Sequence, residues 1–154
     1  MTIERVSADD EAAVTALFNF LLPMAREVAL WEPEYDYAFK NIWRACTEDN
    51  TFVAKDQANA IVGAVSMVKV GPPFSCWYAP KTYLIDQFFY VGAGQRFGTV
   101  GRELLRAVRE LAAPLDMPAF VKVMNPSRER ERGIGPHEAT ILYFSPVGHV
   151  TRIR

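Results

Sequence analysis

The sequence is poor in the features that announce many functions outright. It has only two cysteines in 154 residues, Cys46 and Cys76. Two are too few for a disulfide framework, and neither belongs to a C-x-x-C pair of the metal-binding kind. His137 and His149 have no ligand-spaced partners, so no metal is expected. No apolar run approaches the ~18 residues that a membrane span needs. Positive charge is not in excess either: 17 basic side chains face 18 acidic ones, for a net charge of −1. A dedicated nucleic-acid binder carries a basic surplus on one face. The opening stretch, MTIERVSADDE, has no basic segment leading into an apolar one, so no secretory leader is expected. The expectation is a reduced, cytoplasmic protein with neither a nucleic-acid nor a membrane partner.

What is present suits one packed domain over residues 1–154. Half the residues are hydrophobic and 23% are charged, and neither a repeat nor a dividing linker occurs. TIERV (2–6) alternates as a strand does. Ser7, with Asp10 three residues on, is expected to cap a helix carried by Val14, Leu17, Phe18, Leu21 and Leu22, with a break allowed at Pro23. Tyr35, Phe39, Ile42, Trp43 and Cys46 mark a second helix. TFVAKD (51–56) and AIVGAVSMVKV (60–70) read as a hairpin, and TYLIDQFFYV (82–91) as a long strand. Leu104, Leu105, Val108, Leu111 and Ala112 share the face of a third main helix. AFVKVMN (119–125) is another strand, a short helix is expected around 137–144, and VTRIR ends the chain as a sixth strand.

Glycine is scarce, yet four of the nine fall at 92, 94, 98 and 101. They sit in VGAGQRFGTVGRELL (91–105), where a strand runs into a helix. Such a junction presents unpaired N–H groups at the helix start, and the helix dipole adds a preference for negative charge there. Phosphate is the natural guest. The spacing is neither the dinucleotide G-x-G-x-x-G nor a P-loop, which needs Gly-Lys-Ser/Thr.

The same stretch resembles the central motif of the GCN5-related N-acetyltransferases (GNAT), Val-x-Pro-x-x-Arg/Gln-x-x-Gly-x-Gly/Ala followed by a leucine pair. Anchored on Gly101 and Leu104–Leu105, it places Val91 on the family valine and Arg96 on the Arg/Gln position. Thr99 then stands where the family has its inner glycine, and Ala93 where it has proline. The order of elements agrees with that family over most of the chain. The resemblance implies an α/β (α+β) fold with a mixed, mostly antiparallel central sheet of about six strands. Helices cover both faces, and two central parallel strands splay apart.

It implies acetyl-CoA as co-substrate, lying in that splay. Phe89, Tyr90 and Val91 would follow the pantetheine, and Arg96, Phe97, Gly98, Thr99, Val100, Gly101 and Arg102 would cradle the pyrophosphate. Asn125 matches a family asparagine that contacts pantetheine amides, or else ends its strand in a turn. RERER (128–132) reads as a solvated face. HEATILYFSPVGH (137–149) resembles a second motif whose tyrosine protonates the departing thiolate. Counting forward from Ala139 selects Tyr143; counting back from Gly148 selects Phe144. A phenol of pKa ~10 is neutral at pH 7 and can supply that proton.

Two carboxylates are candidates to take the proton of the acceptor amine. One is Asp86, otherwise read as a carboxylate on the exposed face of its strand; the other is Glu34, near the expected acceptor site. Trp31, Tyr35 and Trp77 are candidates for an acceptor pocket or for core, and the aromatic loop GPPFSCWYAP (71–80) for a lid or a dimer contact. A sheet ending at its sixth strand leaves an edge, so a homodimer that covers it is expected. The reading is an N-acetyltransferase that transfers acetyl from acetyl-CoA to a primary amine by direct attack. The alternative is a non-catalytic acyl-CoA-binding or protein-interaction module on the same fold.

Overall fold

The computed structural model describes residues 1–28, 31–48, 50–75, 77–96, 98–124, 139–144 and 150–153, with backbone alone at 27–28 and beyond 122. Phe97, Asn125, the RERER stretch, Cys76 and both histidines lie outside the described residues. The elements are β1 (Thr2–Arg5), α1 (Glu11–Val28), α2 (Tyr35–Thr47), β2 (Thr51–Lys55), β3 (Ile61–Val70) and β4 (Tyr83–Val91). A short 3₁₀ turn, Ala93–Gln95, leads to α3 (Val100–Leu115), β5 (Ala119–Met124), β6 (Ala139–Phe144) and β7 (Val150–Ile153). The strands form one sheet in the order β1 to β7. Every neighbouring pair is antiparallel except β4–β5, which is parallel and has α3 as its crossover.

Local chemistry explains most boundaries and three departures from expectation. Asp10, not Ser7, caps α1: its Oδ1 accepts the N–H of Ala13 at 3.0 Å, the ordinary N-cap bond to the third helical residue. Pro23 does not break α1. Pro23 and Asn19 are both exposed, so water can serve the carbonyl that a helical proline leaves unpaired. The segment expected as a short helix around 137–144 is instead strand β6. Thr140, Ile141, Tyr143 and Phe144 are β-branched or aromatic and favour a pleated surface, and β6 pairs on both sides, with β5 and β7. The sheet therefore has seven strands among the described residues, and VTRIR supplies the seventh. The expected homodimer rested on a missing seventh strand, and that premise falls.

The β2–β3 hairpin forms as expected. Asp56 Oδ1 accepts the N–H groups of Ala58 and Ala60 at 2.9 and 3.0 Å. Asn59 adopts φ 63, a left-handed conformation that asparagine tolerates.

Helices cover both faces of the sheet. On one, α3 buries Val100, Leu104, Val108 and Ala112 against Phe52, Ala54, Val65, Met67, Leu84, Ala119 and Val121. On the other, α1 and α2 bury Val14, Leu17, Leu21, Ile42 and Cys46 against Val53, Ala64 and Phe88. Trp31, Tyr35 and Trp77 are exposed rather than core. Among the described residues no helix is long and apolar enough to cross a membrane.

One glycine sets how closely α3 approaches the sheet. A Cβ on Gly63 would stand 2.7 Å from Val100 Cγ1 and 2.9 Å from Leu104 Cδ1, inside van der Waals contact. The missing side chain lets the first turn of α3 rest on β3 beside Val91, the residue paired with Gly63. Gly63→Val is expected to destabilise the fold by about 1–3 kcal/mol through overpacking. The midpoint of urea unfolding checks this, and an unchanged midpoint would contradict the packing described.

Candidate functional site

The sheet is interrupted at its centre. The parallel strands β4 and β5 are in register at two positions, Leu84 opposite Ala119 and Ile85 opposite Phe120. Beyond Ile85 the first strand runs on to Val91 and beyond Phe120 the second runs on to Met124, without further pairing between them. Their outer edges are served: β4 pairs with β3 as far as Val91, and β5 with β6 as far as Met124. Residues 86–91 and 121–124 therefore flank an opening across which β4 and β5 form no ladder. Backbone N–H and C=O groups seldom stay unpaired away from water, so such an opening suits an extended guest with amides of its own.

Two devices stand where the strands part. The first is a β-bulge. Met67 pairs with Asp86 and Ser66 with Phe88, leaving Gln87 without a partner on β3. Strict alternation would put Leu84 and Phe88 on one face. Instead Leu84, Phe89 and Val91 belong to the α3 side, while Phe88 and Tyr90 belong to the α1–α2 side. An extra residue between them accounts for the switch.

The second device is Asp86. Its side chain is buried, not on an exposed strand face, and its Oδ1 accepts the N–H of Lys122 on β5 at 2.9 Å. Burial pushes the carboxyl above the usual carboxylate range, while the bond from the Lys122 N–H and the Lys122 charge pull it back.

The glycine-rich turn closes the far end of the opening. Gly92 N–H donates to Val62 O at 2.9 Å, Gln95 N–H to Gly92 O at 2.8 Å and Gly98 N–H to Gln95 O at 3.0 Å. α3 then begins. Its N-cap, Thr99, makes no side-chain cap bond, and the first amide to bond back is that of Glu103, to Thr99 O at 3.0 Å. The amides of Val100, Gly101 and Arg102 thus precede the intrahelical ladder, as the first amides of any helix do, and no side chain among the described residues caps them. Arg96 folds back over the turn, its Nε 3.4 Å from Val91 O and its Nη2 3.5 Å from the Tyr90 hydroxyl. Its guanidinium lies 5.7 Å from the centre of the Tyr90 ring. Uncapped amides on the positive end of a helix dipole form an anion site without any lysine.

The structure thus brings together Asp86, Phe89, Tyr90, Val91, Arg96, Gly98, Thr99, Val100, Gly101 and Arg102 along β4 and its exit. Tyr143 lies on β6, in register with Phe120, hence in the row where the β4–β5 pairing ends. Glu34 is exposed and precedes α2 as its N-cap. The bulge residue Gln87 was not foreseen; two adjacent polar residues, Asp86 and Gln87, inside an apolar strand were its signal. Two surface clefts of about 410 and 580 Å³ lie towards β1, lined by Glu103, Arg106 and Glu110 in one case and by Ser7, Asp10 and Asn59 in the other. Neither is lined by a β4 residue, and the opening between β4 and β5 lies elsewhere.

No family model matches the sequence, and no curated protein does. Solved structures do resemble it. An aminoglycoside 6′-N-acetyltransferase complexed with coenzyme A superposes with a TM-score of 0.60 at 14% identity, over 81% of this chain and 63% of that one. An aminoglycoside acetyltransferase from an uncultured soil metagenomic sample, in complex with sisomicin, gives 0.59 at 17% identity over 89% and 88% of the two chains. An acetyltransferase of the GNAT family from Staphylococcus aureus Mu50 gives 0.62 at 12% identity over 86% and 79%. With its seven-stranded mixed sheet opened between two central parallel strands, this chain has the fold of the GCN5-related N-acetyltransferases.

Proposed function

We propose that the protein is an N-acetyltransferase that moves the acetyl group of acetyl-CoA to a primary amine within a ternary complex. The observation that carries this reading is the end of the β4–β5 ladder after Ile85, with the uncapped start of α3 at the far side of the opening. A pantetheine arm contains two amides and can pair with strand edges as an added strand does. The reading lays it along Phe89, Tyr90 and Val91, and sets the pyrophosphate against the amides from Gly98 to Arg102. That one structure of the same fold is complexed with coenzyme A supports coenzyme A as the guest.

The chemistry needs little from the protein. The amine nitrogen attacks the thioester carbonyl carbon, the carbonyl oxygen gains charge, and the C–S bond then breaks. The bulge at Gln87 turns β4 at the point where that oxygen would lie, and a backbone N–H there would stabilise it. Tyr143 gives the thiolate its proton. The amine loses its own proton to solvent, with the exposed Glu34 as the carboxylate that passes it on. A non-catalytic acyl-CoA-binding module would use the same opening and release no thiol. The position of Tyr143 on a strand, rather than on the expected helix, is the observation that favours that second reading.

Release of free CoA thiol from acetyl-CoA, measured across a panel of amines, separates the two. The enzyme is expected to release thiol only when an amine is present. Binding of acetyl-CoA with no release for any amine would leave the module.

Two substitutions test the parts. Among the described residues a Cβ on Gly98 would meet only Gln95, at 3.4 Å or more, so Gly98→Asp is expected to fold normally. Its carboxylate would face the pyrophosphate and weaken CoA binding at least about tenfold, or about 1.4 kcal/mol, as calorimetry can measure. Equal affinity would remove the turn from the site. Tyr143→Phe is expected to lower kcat by roughly a hundredfold or more and leave acetyl-CoA affinity unchanged. Parent-like turnover would remove Tyr143 from the mechanism.

A further inference from the structure

Asp86 is the one acidic residue whose side chain is buried among the described residues, and its geometry differs from that of a residue poised to collect a proton. Leu84 N–H donates to Pro118 O at 2.9 Å, which fixes the phase of the parallel ladder. In such a ladder each strand's residues donate and accept alternately across the gap. The sequence of rungs then runs from Leu84 to Pro118, from Phe120 back to Leu84, from Asp86 to Phe120, and from Lys122 back to the carbonyl of Asp86. The last of these is not made by the main chain. Lys122 N–H reaches the side chain of Asp86 instead, with Oδ1 at 2.9 Å.

We propose that Asp86 is a positioning residue for acyl-CoA binding, whose carboxylate replaces one main-chain rung and thereby sets the place where β4 and β5 part. This rests on the reading given under Proposed function. A side-chain acceptor inserted between two strands holds their backbones farther apart than the ~4.8 Å of a regular pair. It also satisfies the Lys122 N–H, which would otherwise pull the strands together or stay unpaired in the interior.

The bulge at Gln87 acts on the other edge of β4 at the next residue. Consecutive residues therefore interrupt both ladders of β4: the pairing with β5 ends at Asp86, and the pairing with β3 skips Gln87 before it resumes at Phe88. The function requires an acceptor atom of the right length at position 86, not a titrating one. Asparagine presents the same oxygen; leucine has similar bulk and no acceptor.

Calorimetric CoA affinity and acetyl-CoA kinetics of the parent, Asp86→Asn and Asp86→Leu test this directly, with circular dichroism as the check of folding. Asp86→Asn is expected to keep both Kd and kcat within about threefold of the parent. Asp86→Leu is expected to lose CoA affinity by about tenfold or more while its fold is retained, because Lys122 N–H then returns to the main chain and narrows the opening. If Asp86→Leu does not fold, Asp86→Ser, whose shorter side chain falls short of Lys122, takes its place in the comparison with the same expected loss. Parent-like CoA affinity in the leucine or serine variant would overturn the inference. So would an asparagine variant with unchanged Kd and kcat lowered about a hundredfold, since that pattern belongs to a general base. A parent protein that binds no CoA overturns the acyl-CoA reading itself and this inference with it, and is recognised before any variant is compared.

Discussion

The rest of the structure depends on one failure of pairing. β4 and β5 begin as a parallel pair, hold register for two residues, and then part from each other inside an otherwise continuous sheet. An interior gap of this kind is stable only if something else holds the two halves. Here β4 is anchored by its long antiparallel ladder with β3, and β5 by its six registered pairs with β6. α3 bridges the halves from one face, packing Leu104 and Val108 against residues of β2, β3, β4 and β5 together. The opening is thus built by complete structure around it, not by local looseness.

The same packing fixes the direction of the groups that surround the gap. Gly63 admits the first turn of α3 close against β3, which sets the start of that helix beside the end of β4. Amides at a helix start cannot find partners within the helix, and here no side chain among the described residues takes them. A bound anion would meet donors already aimed, with little reorganisation on binding. In the proposed reading such donors serve a guest that carries several phosphates, although the protein as a whole has a net charge of −1. In the proposed reading the strand edges supply amides for the tail and the helix start serves the diphosphate. The two services lie in line because β4 runs directly into the turn.

Much of this was legible in the sequence, and the exceptions have physical causes. The glycine cluster after Val91 marked both the turn and the start of α3, because a strand that stops at glycine and resumes as a leucine-rich helix has few other forms. The core stripe of α1 was plain from Val14, Leu17 and Leu21, all buried. Asp86 misled because a lone carboxylate in a strand is ordinarily solvent-facing; only the parallel neighbour, 36 residues away in sequence, gives it a partner. Gln87 was missed because two adjacent polar residues in an otherwise apolar strand do not say which of them the partner strand skips. β6 was read as a short helix from its local sequence alone, whereas its pairing with β5 and β7 decides its conformation. Nothing in a single chain announces which segments will find such neighbours.

The central claim is that the gap between β4 and β5 receives CoA. The most direct measurement is a titration of ¹⁵N-labelled protein with CoA, followed amide by amide in heteronuclear NMR spectra. The account predicts that the moving resonances cluster at 86–91, 98–102 and 121–124, while those of β1 and α2 stay in place. Unmoved spectra at millimolar CoA, or changes confined to the clefts near β1, would contradict it.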